Sequence, residues 1–257
     1  MLFAVDIGNT NIHVGVFEGE ALQSRFLLGS SPCRTADEYA MLMKALLREK
    51  GIDAALIDGV VLGSVAPSVT PAVQAALGTL FALPVTVIGP GVKTGFPIRL
   101  DDPAELGADL VANAAGVLAT RGAPAVILDF GTATTVIALD EKGALQGGAI
   151  LPGVGMSLQA LGNAELLPGV PVDGSVAVLG KNTPDCMRAG VIRGGAMAAA
   201  GLAEHYKKLL HRPAKTPLVV SGGFAKAILP YLPAEADHAP DLTLRGLAAI
   251  YRLNRKS

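Results

Sequence analysis

The stretches VDIGNTNIHVGVF, Val5–Phe17, and LDFGTATTVIALD, Leu128–Asp140, decide how this chain is read. Each has an apolar lead-in, an aspartate, a glycine two residues on, a run of small hydroxyl or amide residues, and an alternating apolar tail. Alternation at period two marks a strand with one buried face, and Gly beside Asn or Thr marks a turn. Each phrase therefore predicts strand, turn, strand. Written one above the other, Asp6 falls on Asp129, Gly8 on Gly131 and Thr10 on Ala133, and the match runs on through the tail. A phrase repeated at this length points to an internal duplication, with two similar domains facing a cleft. The plainer reading is that two ordinary strand-turn-strand segments coincide.

Outward from the first phrase, EGEALQSRFLL adds a turn and another strand. In TADEYAMLMKALLREKG, Thr35 with Glu38 makes a capping box, and Tyr39, Leu42, Leu46 and Leu47 mark one helical face that Gly51 ends. GVVLGSVAPSV reads as a buried strand, TPAVQAALGTLF as a helix with Pro71 in its first turn, and PVTVIGPG as a strand. A loop from Val92 to Pro103 follows. A helix unusually rich in small residues then begins near Leu106. The second phrase restarts the pattern, followed by a strand in GALQGGAILPG and a long helical stretch from Thr183 to Leu210. A strand, glycine turn and helix in TPLVVSGGFAKAILPYL and a closing helix in DLTLRGLAAIYRLN complete the chain. This predicts an α/β protein with domains over 1–123 and 124–257.

Composition narrows the function classes. At 257 residues and 51% hydrophobic, the chain has ample material for two cores. A formal net charge of −1 gives no reason to expect nucleic acid or an anionic membrane as partner. No apolar run approaches the roughly 18 residues of a membrane span. MLFAVDIGN reads as a strand rather than a signal peptide. Cys33 and Cys186 stand far apart without CxxC spacing, as expected for the reducing cytoplasm.

Gly-rich turns aim backbone N–H groups outward and let a phosphate come close. Thr10, Thr132 and Thr135 hydroxyls and the Asn9 and Asn11 amides add donors. Asp6 and Asp129 sit where strand becomes turn, where a carboxylate repels phosphate unless a cation lies between, so the pair points to a hard, oxygen-liganded ion, Mg²⁺ or a monovalent cation. Two such turns suit the two ends of a polyphosphate; the alternative is that both aspartates merely cap hairpins. The glycine turn Ser221–Ala225 suits an adenine or ribose, or only close packing. Asp109, beside Gly107 and Ala108, is either a helix-dipole carboxylate or a general base. His13 is either an inert strand residue or part of the site.

The strings DIGNTN, RTADEYA, GPGVKTGFPIR, DDPAELGAD, DFGTATT, GGAILPGVGMSLQAL, GKNTPDCMRAG and DLTLRGLA occur in that order over nearly the whole chain. Together they resemble the type III pantothenate kinase family, within the acetate and sugar kinase, actin and heat-shock ATPase superfamily. The resemblance implies two duplicated actin-like (ribonuclease H-like) domains around a nucleotide cleft. It implies ATP-dependent phosphorylation of the pantothenate hydroxyl in coenzyme A synthesis, a homodimer, ATP with Mg²⁺, and a monovalent cation, K⁺ or NH₄⁺. By motif match, Asp6, Ile7, Gly8, Asn9, Thr10, Asn11, Ile12 and His13 hold ATP, with Asp6 reaching Mg²⁺ through water, and Thr132 is a second nucleotide contact. Asp109 is the proton acceptor, Asp129 a monovalent-cation ligand, and Gly107, Ala108, Asp109, Leu110 and Thr183 substrate contacts.

Four positions depart from the family pattern. Leu110 stands where the family has Arg, Leu100 where it has Tyr, Val136 where it often has Phe followed by Asp, and His13 where Thr, Val or Ala is usual. An Arg pairs with the pantothenate carboxylate through charge-assisted bonds that Leu does not offer. Arg99, Lys93 or Arg193 are candidates to replace it. These departures leave two alternatives: a kinase for another small alcohol, and a non-catalytic nucleotide-binding regulatory paralogue.

Overall fold

The computed structural model describes residues 1–172, 175–210 and 216–255. The first phrase forms β1 (Leu2–Ile7) and β2 (Asn11–Glu18), followed by β3 (Ala21–Gly29), α1 (Ala36–Glu49), β4 (Gly59–Ser64), α2 (Thr70–Phe81) and β5 (Val85–Val87). The second forms β6 (Ala125–Phe130) and β7 (Ala133–Leu139), followed by β8 (Leu145–Pro152), α4 (Val154–Gly162), α5 (Thr183–Arg188), α6 (Gly194–Leu209), β9 (Leu218–Ser221), α7 (Ala225–Ile228) and β10 (Asp237–His238). Helix α3 (Ala108–Thr120) precedes β6, and α8 (Leu242–Asn254) closes the chain.

The duplication is visible in topology. One five-stranded sheet has the order β3-β2-β1-β4-β5; the other, read from its far edge, runs β8-β7-β6-β9-β10. In each, the first two pairings are antiparallel and the next two parallel. This is the duplicated actin-like arrangement expected. The residue-for-residue alignment holds only as far as the turns. Asp6 lies opposite His13, seven residues on, whereas Asp129 lies opposite Thr135, six residues on. The first turn has one extra residue, so Thr10 corresponds to Thr132, not to Ala133.

The chain clusters into two units. One comprises Met1–Phe96, Asp102–Thr120 and Leu242–Ser257; the other comprises Pro97–Asp101 and Arg121–Asp241. This differs from the continuous division at 123/124, because α8 packs in the first unit. Three glycines explain how. On its α8-facing side, the first sheet carries Gly15, Gly59 and Gly63, where an added Cβ would meet Leu244, Tyr251 and Leu247 respectively. Those three α8 residues share a helical face at i, i+3 and i+7. A Cβ on Gly246 would overlap the Ala112 carbonyl, and one on Gly116 the Leu242 carbonyl, so α3 and α8 approach backbone to backbone. The small residues of α3 serve this contact. The opposite sheet face packs Phe3, Val5, Val14 and Leu62 against Tyr39, Met43 and Leu47 of α1 and Val73 and Leu77 of α2. The Thr35–Glu38 capping box forms, and Met43 joins the α1 core face where Leu42 and Leu46 are only partly buried.

In the second unit, Val126, Leu128, Phe130 and Val136 pack against Val154 and Leu158 of α4 and Ala196, Ala199 and Ala203 of α6. The helical stretch expected from Thr183 is not one regular helix. A π-turn, Ala189–Arg193, joins α5 to α6. Buried Met187 and Ile192 are five residues apart, too far for one α-helical face; the extra residue of the π-turn brings both to the core. Among the described residues, no helix is long and apolar enough to cross a membrane.

Candidate active site

In the first unit, three strand and helix ends converge. Asp6, near the end of β1, is half-buried between His13 of β2 and Gly63 of β4. The turn beyond it closes through the Gly8 amide, which donates to the Asn11 carbonyl at 2.9 Å. Asn9 and Thr10 are exposed at its tip. Ile7 and Ile12 are fully buried in the core, so only their backbones are left to meet a ligand. On the β4 side, the Val65 amide donates to the Ile7 carbonyl at 3.0 Å, and a Cβ on Gly63 would stand 3.6 Å from that of Ala108. The start of α3 is thereby laid against the ends of β1 and β4. Gly107 leaves room there for a carboxylate: its Cβ would come within 2.5 Å of Asp109 Oδ1 and 3.4 Å of Val65 Cγ1.

Asp109 itself is half-buried. Burial pushes its carboxyl pKa up, opposed by hydrogen bonds from the Leu110 and Asp109 amides. The Leu110 amide donates to Oδ1 at 2.8 Å. A carboxylate that is desolvated yet held by backbone donors is poised as a proton acceptor, a role surface aspartates fill poorly. Leu110 is half-buried beside it.

The sequence reading missed Ser30. Its amide donates to the Thr10 carbonyl at 2.9 Å and its hydroxyl to the Gly8 carbonyl at 2.5 Å, pinning both ends of the turn. The adjoining Ser31 is braced by buried Tyr39, whose hydroxyl accepts from the Ser31 amide at 2.9 Å and donates to its carbonyl at 3.0 Å. The only signal for this was proximity of a serine to the end of a predicted strand.

In the second unit, Asp129 is half-buried between Thr135 of β7 and Ser221 of β9. Thr135 is buried rather than presented at the turn. The glycine turn after β9 lies directly behind this carboxylate. Gly222 has φ +99°, and a Cβ there would stand 2.5 Å from Asp129 Oδ1 and overlap the Phe130 backbone. The Phe224 amide donates to the Phe130 carbonyl at 2.9 Å, locking the two turns together. A Cβ on Gly153, the residue capping α4, would overlap the Thr132 carbonyl, so the start of α4 also packs on this turn. Thr183 is exposed as the first residue of α5. Its position follows from Asn182, whose Oδ1 accepts from the Asp185 amide at 2.9 Å while Nδ2 donates to Asp185 Oδ2 at 2.8 Å. Leu100 is half-buried, and Lys93 and Arg99 are exposed.

Among the described residues, no group of three or more His, Cys, Asp or Glu side chains is placed to hold a metal. Single carboxylates beside glycine turns fit ions carried largely by phosphate, water and backbone oxygens, as Mg²⁺ commonly is. At the second turn the half-buried Asp129 carboxylate, with Gly131 beside Oδ1, is the side chain such an ion would meet.

These features coincide with close sequence similarity. A model of the type III pantothenate kinase family matches residues 2–205. The type III pantothenate kinase of Moorella thermoacetica is 40% identical over 255 residues, covering 99% of this chain and all of that protein. The type III pantothenate kinase of Myxococcus xanthus is 39% identical over 260 residues, covering both proteins completely. Among solved structures, component A of Acidaminococcus fermentans (R)-2-hydroxyglutaryl-CoA dehydratase aligns with a TM-score of 0.60 at 14% identity, over 97% of this chain and 95% of that one, a likeness of fold alone. Matched end to end at this identity, and with the aspartate-glycine turns of both halves in place, the chain belongs to the type III pantothenate kinase family.

Proposed function

We propose that this protein phosphorylates pantothenate with ATP, and that Asp109 accepts the hydroxyl proton. The observation that carries this reading is the desolvated Asp109 carboxylate, held by the Leu110 amide beside the end of β1. The Asp109 carboxylate takes the proton of the attacking alcohol as its oxygen bonds to the γ-phosphorus. The bond from that phosphorus to the β,γ-bridging oxygen breaks, and ADP leaves with the electron pair. Transfer of this kind relies on positioning and charge stabilisation more than on covalent chemistry by the protein. Backbone amides from Asp6 to His13, with the Asn9, Thr10 and Asn11 side chains, take the ATP phosphates, and Thr132 adds a nucleotide contact. Asp6 would hold Mg²⁺ through water and Asp129 would hold a monovalent cation. When bound, these ions neutralise phosphate charge that the carboxylates alone would repel.

Gly107, Ala108, Leu110 and Thr183 are the acceptor contacts that the family resemblance assigns in this reading. Leu110 offers pantothenate's carboxylate no partner. Arg193 is engaged elsewhere, its guanidinium donating to the Val176 carbonyl at 2.6 and 2.9 Å. Exposed Arg99 and Lys93 remain as sources of charge. A homodimer fits the second unit's large apolar side chains that stand in solvent, among them Ile150, Leu166, Val178, Leu179 and Met197. Nothing in the family match or the relatives favours another alcohol or a silent paralogue. The test is purified protein with ATP, Mg²⁺ and K⁺ against pantothenate and other small alcohols. Phosphopantothenate formation is expected, and turnover of another alcohol with none on pantothenate overturns the reading.

A further inference from the structure

Residues 163–182 run from α4 to α5 without a helix or strand among those described, longer than most loops of a compact domain. At Val176 this segment is gripped from two sides. Arg193, the last residue of the π-turn, donates from Nε at 2.9 Å and from Nη2 at 2.6 Å to the Val176 carbonyl. The Val176 amide donates to the Tyr231 hydroxyl at 2.9 Å. The Arg193 guanidinium lies 4.4 Å from the centre of the Tyr231 ring, so the two gripping side chains also hold each other. The Val176 side chain is buried in the core of the second unit.

From this grip the chain returns to α5. Gly180 lies on the first turn of α5, where its Cβ would stand 2.6 Å from the Asp185 carbonyl carbon and 2.7 Å from Cys186 Cα. Asn182 then caps the helix and Thr183 begins it. The strap between Val176 and Thr183 is therefore fixed at both ends, at one by Arg193 and Tyr231 and at the other by the Asn182 cap. The π-turn has a part in this. An extra residue rotates every later side chain by about 100° around the helix, so the register that seats Ile192 in the core also determines where Arg193 points.

We propose that Arg193 and Tyr231 are positioning residues for the acceptor: by clasping the Val176 peptide they hold the strap that presents Thr183. The proposal rests on the reading of Thr183 as an acceptor contact. Arg193 and Tyr231 are bound to Val176 and to each other, so their loss is expected to act on pantothenate and not on ATP.

The test compares Arg193→Met, Arg193→Lys, Tyr231→Phe and Thr183→Val in the full-length protein, by steady-state kinetics and by amide exchange over 175–183. Arg193→Met is expected to raise the KM for pantothenate roughly tenfold, the scale of losing charge-assisted hydrogen bonds, with the KM for ATP unchanged and exchange in the strap accelerated. Arg193→Lys should recover part of the loss, since an ammonium keeps one bond to the carbonyl and its place over the ring. Tyr231→Phe, which removes a single hydroxyl and keeps that ring, should show a smaller rise and carries the test if Arg193→Met does not fold. Wild-type strap exchange in a folded variant overturns the proposal. So does an unchanged pantothenate KM when Thr183→Val raises it. An unchanged KM in Thr183→Val is a separate failure, of the reading of Thr183, and takes the proposal with it.

Discussion

The turns after β1 and β6 descend from one pattern and are held in opposite ways. The Asp6–Thr10 turn is fastened by added atoms: Ser30 donates to both the Gly8 and Thr10 carbonyls. The Asp129–Thr132 turn is fastened by missing ones, since Gly222 and Gly153 let neighbouring backbone lie where a Cβ would be. Their surroundings diverge too. Opposite Asp6 stands exposed His13; opposite Asp129 stands buried Thr135. Asp109 lies near the first turn, through Gly63 and Ala108. Duplication thus preserved the position of a carboxylate at a strand end, while each copy acquired its own means of fixing the turn. A hydrogen-bonded brace tolerates trimming, because losing one neutral bond costs about 0.5–1.5 kcal/mol. A glycine brace does not, because a methyl group has no space to enter.

The largest effect expected is at Asp109. Asp109→Asn keeps the shape and removes the base, so kcat should fall by about 10²–10⁴ while ATP affinity, measured by calorimetry, stays near wild type. The raised pKa has two further consequences. In kcat/KM against pH, the acid limb should fall as pH drops through a value above the usual aspartate range, because only the carboxylate accepts the proton. For stability, a carboxyl whose folded pKa is raised contributes fully below its unfolded value, and that contribution is lost as pH rises through the folded one. At neutral pH the charged Asp109 therefore costs stability, and Asp109→Asn should melt no lower than wild type. A lower melting point together with retained activity would show Asp109 to be structural.

Next in size are the two turn carboxylates. Asp6→Ala should alter the dependence on Mg²⁺ and Asp129→Ala the dependence on K⁺, both with reduced activity. Titration of each variant with each ion separates them, and identical profiles would mean that the two turns do not divide the ions. A third effect distinguishes the braces. Gly222→Ala places a side chain at φ +99° and against Asp129 Oδ1, and should destabilise by about 1–3 kcal/mol with weakened K⁺ dependence. The smallest is Ser30→Ala, expected to raise the KM for ATP about two- to tenfold with little change in melting temperature. If Ser30→Ala proves more damaging than Gly222→Ala, the contrast between the two braces is wrong.

Much of this was legible from residues alone because the signals were local. Period-two alternation located β1, β2, β6 and β7, Thr35 with Glu38 located the start of α1, and Asp-x-Gly located both turns. Asp109 was marked by its small neighbours, but its burial, which the proposal of a base rests on, is set by packing that spacing does not show. Ser30 was invisible because its partners, Gly8 and Thr10, lie across two strands. The single-residue difference between the turns was equally hidden: both phrases alternate after the turn, and an offset of one residue is fixed only by which residues pair across the sheet.

The sequence by itself determined most of the elements, the duplication and the family, since each rests on residue type at short spacing; α4 and β10 were not read from it. Tertiary structure decided what crosses long separations. The closing helix α8 could have covered either sheet by its own amphipathic pattern. It lies on the first because Gly15, Gly59 and Gly63 leave room there for Leu244, Tyr251 and Leu247. The interruption between α5 and α6 likewise followed from the core, which needs Met187 and Ile192 on one side although their spacing does not suit an α-helix. Hydrogen-bond propensity acts between near neighbours and can be read along a chain. Space is shared between distant ones, and only the packed molecule assigns it.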